Sequence, residues 1–158
     1  MNASPPPHFQ QTASGPPLAP EAFEGRSLAS LFLDRVRASG DSPALAVKQE
    51  GHYHWRSWNE LQADVRRMAG RLRDAGLARG ERLLLVSENR YEWILCDLAV
   101  HQLGAVHVAV HNSLSGEQIA EQLADSGARL AIVAGSEQAQ KLAEVAAALP
   151  ARVRFFSF

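Results

Sequence analysis

The 158-residue sequence contains little cysteine, little lysine and almost no net charge, and each of these shortages argues against a particular kind of structure or site. Its single cysteine, Cys96, rules out an intrachain disulfide. The only lysines are Lys48 and Lys141, and neither lies in a motif that would make it a nucleophile or a phosphate ligand. A formal net charge of −1 removes the simplest electrostatic case for a nucleic-acid partner, so we predict none.

Long apolar runs are also missing. None approaches the roughly 20 residues needed to cross a bilayer, and the N-terminus lacks the basic and apolar regions of a secretory signal. We therefore expect a cytoplasmic protein without a transmembrane segment, and peripheral membrane contact stays open.

Residues 1–25 hold most of the chain's prolines. Such a composition buries too little apolar surface to offset the entropy lost on ordering, so we predict a disordered leader over this range. A polyproline ligand for a partner domain is the alternative.

The first ordered elements are predicted from caps and alternation. Ser27 is placed to cap a helix that ends at Gly40. Residues 44–56 read as a hairpin that turns at Glu50 and Gly51, and Ser57 with Glu60 forms a capping box for a helix through Ala75. The second hairpin strand should have one solvent-exposed face and one buried face. We expect His52, His54 and Arg56 on the exposed face and Tyr53 and Trp55 on the buried face.

From residue 83 onward, apolar strands alternate with helices. The strand LLLVS precedes a helix that ends at Gly104, and the strand AVHVAV precedes a helix capped by Ser115 and Gln118. The strand ARLAIVAG precedes a helix over 136–149. The segment ARVRFFSF forms the last strand. This order predicts an α/β fold with three layers. A mostly parallel sheet is flanked by helices, and the N-terminal hairpin lies at one edge.

The turns after the strands are where a parallel sheet binds ligands. SENRYE, HNSLSG and GSEQ contain neither a dinucleotide fingerprint nor a phosphate loop, and the chain has no G-x-S-x-G elbow. Gly135 and Ser136 could bind an anion on free N–H groups, although we interpret Ser136 as an ordinary helix cap. We expect Asn89, Arg90, Glu92 and Trp93 to fix the corner between strand and helix.

Two side-chain groups are candidates for chemistry. Cys96 lies in the apolar helix YEWILCDLAVHQL, so we interpret it as a buried small hydrophobe and not a nucleophile. His101, His107 and His111 are the only histidine group worth weighing as metal ligands, but further ligands at ordered spacing are missing. We predict no metal site, and we expect His111 to cap or line a crevice.

Six consecutive pieces of the chain resemble one family. GERLLLVSENRYEW and DLAVHQLGAVHVAV look like the N-terminal part of AMP-forming acyl-CoA synthetases of the long-chain fatty-acid ligase type, and the flanking segments agree over residues 26–150. The sequence departs from the family's pattern at Ala109, where proline is usual, and at His111, where tyrosine or asparagine is common.

The resemblance implies an enzyme that uses ATP, Mg²⁺ and CoA to convert a fatty acid to acyl-CoA, AMP and pyrophosphate. It makes residues 26–158 an N-terminal α/β subdomain that stops before the family's phosphate loop. No family catalytic, cofactor or metal residue can therefore be assigned here. Fatty acid and CoA would bind through the remaining part of the enzyme. A binding or assembly module that associates with a ligase or with itself is the alternative, and an unrelated α/β nucleotide-binding protein is a third hypothesis.

Overall fold

A computed structural model describes residues 20–149 and 152–158. The first 19 residues of the expected leader lie outside the described part, as do residues 150 and 151. Pro20–Phe23 form a short 3₁₀ turn. The chain divides into two compact units, residues up to 64 and residues 65–158.

The first unit contains helix α1 (Leu28–Ser39), strands β1 (Pro43–Gln49) and β2 (His52–Ser57), and the start of helix α2 (Trp58–Asp74). The predicted caps are present. Ser27 and Ser30 form a reciprocal capping box at α1. At α2, the backbone N–H of Ser57 donates to Glu60 at 2.8 Å while the N–H of Glu60 donates to the Ser57 hydroxyl at 3.2 Å.

The hairpin turns where the sequence predicts, with φ of 49° at Glu50 and 82° at Gly51. Positive φ at both central residues is the geometry of a tight type I′ turn. β1 and β2 pair antiparallel as a two-stranded sheet of their own. The expected buried face of β2 is wrong at Tyr53, whose side chain is 49% exposed.

The second unit holds the parallel sheet. Its strands are β3 (Arg82–Val86), β4 (Val106–Val110), β5 (Leu130–Val133) and β6 (Arg154–Ser157). They pair in the order β4-β3-β5-β6, all parallel. Helices α3 (Tyr91–Leu103), α4 (Gly116–Ser126) and α5 (Gly135–Glu144) connect them. The predicted parallel α/β fold is confirmed.

Helices cover both faces of the sheet, which accounts for the three layers. On one face, α4 and α5 pack on the strands, and the shared core consists of Leu84, Val86, Val110, Ile119, Leu123, Ala131, Val133 and Leu142. On the other face, α3 lies against His107 of β4, while Leu72 of α2 and Ile132 of β5 line one cavity. The central strand β3 is buried on both faces, as a near-continuous apolar run predicts.

Arginines mark the amino ends of two strands. Arg82 donates from Nε to the carbonyl oxygen of Ser126 at 2.9 Å and from Nη2 to that of Gly127 at 3.0 Å. Arg154 donates to the carbonyl oxygen of Ala75. Because helices α4 and α2 end there, these cations compensate the unpaired carbonyl groups and the negative end of each helix dipole.

None of the described helices combines the length and the apolar character that a membrane crossing requires.

Helix α5 ends at Glu144, earlier than the predicted residue 149, and Ala146–Ala148 form a 3₁₀ turn instead.

Candidate functional site

The connections of the sheet create one topological switch point. From β3 the chain crosses to β4 on one side, and the next strand, β5, pairs with β3 on the other side. In open α/β sheets, ligands bind in the crevice outside the carboxyl ends of the strands at such a point. The candidate site is therefore the edge formed by the segments that follow β3, β4, β5 and β6.

Arg90 follows β3 at this edge. Its Nε donates to Oε2 of Glu92 at 2.7 Å, and its Nη1 lies 3.4 Å from Oε1 of Glu88. Its guanidinium carbon also lies 5.2 Å from the ring centroid of Phe158, which follows β6. Since β5 lies between β3 and β6, this stacking contact reaches across the carboxyl end of β5.

These contacts decide what Arg90 can do. The hydrogen bond to Glu92 raises the pKa of the Arg90 guanidinium, and the same bond lowers the pKa of the Glu92 carboxyl. Two carboxylates therefore neutralise the cation, so it is not poised to bind a phosphate. The prediction that Arg90 and Glu92 fix the strand-to-helix corner is confirmed.

The loop after β4 is held from two sides. The ring nitrogen Nδ1 of His111 accepts from the backbone N–H of Ser113 at 3.2 Å and lies 2.8 Å from its hydroxyl. The Nζ of Lys141 donates to the carbonyl oxygen of Asn112 at 3.0 Å. His111 thus caps this loop, as expected. Lys141 also pairs with Glu137, and its role in tying α5 to the loop was not predicted.

The interpretation of Ser136 as a helix cap is wrong. Helix α5 begins at Gly135, its N-cap residue is Ala134, and no side chain caps it. Gly135 has a φ of 75°, a left-handed conformation that glycine adopts without steric strain. Helix α5 therefore starts two residues earlier than a cap at Ser136 would place it.

Two of the three candidate histidines come together, around a residue that sequence reasoning missed. His107 donates from Nδ1 to Oδ1 of Asp97 at 2.7 Å, and Nε2 of His101 lies 3.5 Å from the same oxygen. The Trp93 ring packs at 5.2 Å from the His107 ring, centroid to centroid. The spacing of Asp97 four residues before His101 was the available signal.

This cluster does not form a metal site. Within residues 20–149 and 152–158, no three histidine, cysteine or acidic side chains are arranged to hold a metal ion. His111 lies apart, bound to its own loop. Asp97 serves both histidines as a hydrogen-bond or ion-pair partner, so the cluster joins α3 to β4.

Cys96 is fully buried in α3. Burial, together with the negative charges of Glu92 and Asp97, raises the pKa of its thiol to about 12. Since the thiolate is the nucleophile, a thiol that stays protonated at neutral pH is a poor one. Cys96 behaves as a core residue, as its place in the helix predicts.

The charged side chains at the carboxyl edge are engaged by one another and not by a nucleotide phosphate or its Mg²⁺. Phosphate binding needs cations or free backbone N–H groups that face the ligand. Arg90 there pairs with the carboxylates of Glu88 and Glu92. Lys141 pairs with Glu137 and donates to the carbonyl oxygen of Asn112. No catalytic step can be assigned to this edge alone.

A family model described as AMP-binding enzyme matches residues 32–155 of the chain. The chain belongs to the AMP-binding enzyme family. This match covers most of α1, the hairpin and nearly all of the parallel sheet. It confirms the family resemblance that the segments SENRYEW and GAVHVAV indicate.

Relatives of this AMP-binding chain include ligases. The long-chain-fatty-acid–CoA ligase FadD15 of Mycobacterium bovis is 33% identical over 92 residues, which cover 58% of the chain and 15% of FadD15. An uncharacterized protein of Mycobacterium tuberculosis is 30% identical over 92 residues, which cover 58% of the chain and 53% of that protein. The chain thus spans about half the length, or less, of the curated relatives it matches.

A solved structure confirms the AMP-binding fold. The N-terminal domain of FACL13 from Mycobacterium tuberculosis superposes with a TM-score of 0.77 at 21% identity, over 84% of the chain and 34% of that domain. At this identity the likeness supports the fold and not the activity. The predicted fold class, the N-terminal portion of an acyl-CoA ligase domain, is confirmed.

Proposed function

We propose that this chain is the N-terminal segment of an AMP-forming acyl-CoA synthetase of the long-chain fatty-acid type. In that enzyme, ATP and a fatty acid would give acyl-AMP and pyrophosphate, and CoA would then displace AMP. The segment supplies the scaffold of the active-site crevice and no catalytic group. It is inactive on its own, and fatty acid and CoA bind through the remainder of the enzyme.

The observation that carries this proposal is the carboxyl edge of the sheet. A switch point marks the position of a ligand crevice, but the cation there, Arg90, already pairs with Glu88 and Glu92. The three segments after β3, β4 and β5 contain no glycine-rich phosphate loop. A crevice wall without a phosphate loop is what a scaffold segment of such an enzyme would provide. The 33% identity to FadD15 supports the long-chain class.

An exchange assay tests the proposal. The purified 158-residue chain is incubated with ATP, Mg²⁺, labelled pyrophosphate and either palmitate or acetate, with FadD15 assayed in parallel as the active control. We expect no ATP–pyrophosphate exchange above the protein-free background with either acid. Exchange that depends on palmitate and on the chain's concentration would contradict the scaffold role.

The second candidate function is a non-catalytic module that associates with a ligase or with itself. Three exposed aromatic side chains at or beside β6, Phe155, Phe156 and Phe158, favour it, because large exposed apolar groups close together mark interaction surfaces. A monodisperse chain that melts cooperatively would support the module. Strong ANS binding with a gradual melt would instead support a segment that needs the rest of its domain.

The proposed location is the cytoplasm, where ATP and CoA would be available to the complete enzyme. Peripheral contact with a membrane is part of the proposal, since the long-chain fatty acids of this enzyme class partition into bilayers. Flotation of the chain with liposomes, with and without Phe156→Ser, measures that contact.

A further inference from the structure

Strand β2 carries two histidines on one face. His52 and His54 alternate along the strand, and both are exposed. The hairpin register pairs His52 with Gln49 of β1. Tyr53 lies on the other face, where its ring centroid is 6.0 Å from Nζ of Lys48. Because side chains of a strand alternate between its faces, the two imidazoles project side by side from the face opposite to Tyr53.

The backbone holds these histidines at a fixed spacing. Residues two apart on a strand lie about 6.8 Å apart between Cα atoms. The β1–β2 register is continuous from Leu45 to Gln49, and the turn has positive φ at Glu50 and Gly51. A two-residue turn of this type fixes the register of its strands. The pair is therefore positioned by the hairpin itself, before any ligand binds.

Both imidazoles of β2 are available to a ligand. Neither has a hydrogen-bond or ion-pair partner in the part of the chain that the structure describes. The histidines of the parallel sheet differ, since each has a ring nitrogen paired within the fold. Asp97 takes one nitrogen of His107 and lies near one of His101, and Ser113 takes one of His111. The β2 pair thus combines fixed spacing with unpaired nitrogens.

The charges near the pair suit a cation. Glu50, in the adjoining turn, is an exposed carboxylate. Lys48 is directed to the other face of the hairpin, toward Tyr53. Arg56 follows on the histidine face, but its Nη1 lies 3.9 Å from Oε1 of Glu60, which compensates part of its charge. A positive ion beside the histidines would therefore meet little uncompensated repulsion.

Neutral imidazole is a ligand for divalent transition metals such as Zn²⁺, Ni²⁺ and Cu²⁺, and zinc–nitrogen bonds are about 2.0–2.1 Å long. Two imidazoles on one strand face can lean toward a single ion between them. Once the first nitrogen has bound, the second meets the ion within the same molecule, so the pair binds more tightly than either histidine alone. Water completes the coordination. With two nitrogen ligands and no imposed geometry, Cu²⁺ should bind more tightly than Ni²⁺ or Zn²⁺.

We propose that His52 and His54 form a two-histidine site for a divalent transition-metal ion, with a preference for Cu²⁺. Each imidazole supplies one nitrogen ligand, and the carboxylate of Glu50 adds favourable charge. The site lies on the hairpin of the first unit and shares no residue with the carboxyl edge of the parallel sheet. The inference goes beyond the proposed scaffold function, because its test reads metal binding and not adenylation.

A calorimetric titration of the full chain with CuCl₂, NiCl₂ or ZnCl₂ tests the proposal. We expect saturable binding of one Cu²⁺ per chain and weaker binding of the other two ions. His52→Ala and His54→Ala should each weaken Cu²⁺ binding about tenfold or more, since either change removes the chelate. In NMR spectra, substoichiometric Cu²⁺ should broaden the ring resonances of these two histidines before those of the others.

Two variants with equal numbers of histidines test the geometry. Both carry His54→Ala, and one adds Gln49→His while the other adds Tyr53→His. Gln49→His places the new imidazole directly across from His52 on the same face, so it should restore Cu²⁺ binding. Tyr53→His places it on the opposite face, so binding should stay weak. Circular dichroism checks that both variants fold.

Three results would overturn the proposal. Equal Cu²⁺ affinity of the wild type and the double variant His52→Ala/His54→Ala would show that any copper bound is an adventitious ion held elsewhere. Equal affinity of the Gln49→His and Tyr53→His variants would remove the requirement for a shared face. Loss of binding with His101→Ala, and not with His54→Ala, would move the site to α3.

Discussion

The imidazole of His107 is hydrogen-bonded to the carboxylate of Asp97, with 2.7 Å between Nδ1 and Oδ1. This contact joins the edge strand β4 to helix α3. The His107 side chain is 5% exposed, and the Trp93 ring packs against it. Its Nε2 is buried without a hydrogen-bond partner in the described part of the protein. The histidine is therefore a structural residue whose burial depends on Asp97.

We expect Asp97→Ala to lower the free energy of unfolding by about 1–3 kcal/mol, because it leaves the buried Nδ1–H of His107 without an acceptor. Urea denaturation measures the change. A double-mutant cycle with His107→Ala should give a coupling energy of about 0.5–3 kcal/mol. His54→Ala, at an exposed position of β2, is the control and should cost less than about 0.5 kcal/mol. Additive effects of Asp97→Ala and His107→Ala would contradict this account.

Gly116 is the first residue of α4, and α5 approaches it closely. A Cβ atom placed there would lie 2.4 Å from the backbone carbonyl oxygen of Lys141. Since a backbone atom cannot move aside as a side chain can, we expect Gly116→Ala to destabilise the protein by about 1–3 kcal/mol. Urea denaturation at constant pH checks this value.

Gly70 offers the matched control. It lies inside α2, and no atom of a neighbouring element comes within 4 Å of the place that a Cβ atom would take, so alanine should fit without a clash. We expect Gly70→Ala to stabilise the protein by about 0.5–1 kcal/mol through higher helix propensity. Two substitutions of the same kind should thus have opposite signs, and equal signs would refute the packing explanation.

The pair formed by Arg90 and Glu92 predicts a pH dependence. The bond from Arg90 lowers the pKa of Glu92 below its ordinary value of 4.5. The resulting stabilisation is complete above that value and is lost as the pH falls through the lower, folded-state pKa. The difference in unfolding free energy between wild type and Glu92→Gln should be constant near neutrality and shrink below pH 4.5.

Glu121→Gln, at an exposed position of α4, controls for a general effect of removing a carboxylate. Urea denaturation of all three proteins between neutral pH and pH 3 gives the comparison. A wild-type advantage over Glu92→Gln that stays constant across that range would count against the ion pair.

Cys96 should react with DTNB only when the protein opens. With a pKa of about 12, about one thiol in ten thousand is ionised at pH 8, and the side chain is also buried. We expect slow labelling of the native chain and rapid labelling in concentrated urea. Ser136→Cys, at an exposed position, should add one fast-reacting thiol. Rapid labelling of Cys96 in the native chain would contradict its assignment to the core.

Local sequence signals predicted much of the fold. The capping pairs at Ser57 and Ser115 place the starts of α2 and α4 correctly, because cap bonds form between residues three apart in the chain. Gly104 ends α3 in a left-handed conformation, as expected. The prediction failed at Ser136, because helix α5 begins at Gly135 without a side-chain cap.

The candidate site depended more on contacts between distant residues. Arg90 can stack on Phe158 only because the strands pair in the order β3-β5-β6. A local sequence pattern does not predict that order. Asp97 pairs with His107 only because α3 packs on β4. The burial of the His107 Nε2 atom without a partner among the described residues is also a result of packing. Spacing alone had suggested a histidine trio that includes His111, which the fold places apart.

The sequence by itself determined the alternating strands and helices, the caps at their ends and the family to which they belong, because these follow from periodicity and from neighbours along the chain. Tertiary structure alone decided three other features. It stacks Arg90 on Phe158 beside the switch point, it buries His107 against Asp97, and it brings Lys141 of α5 to the loop after β4. Each depends on which strands and helices become neighbours, and that choice is made by burial across the whole sheet.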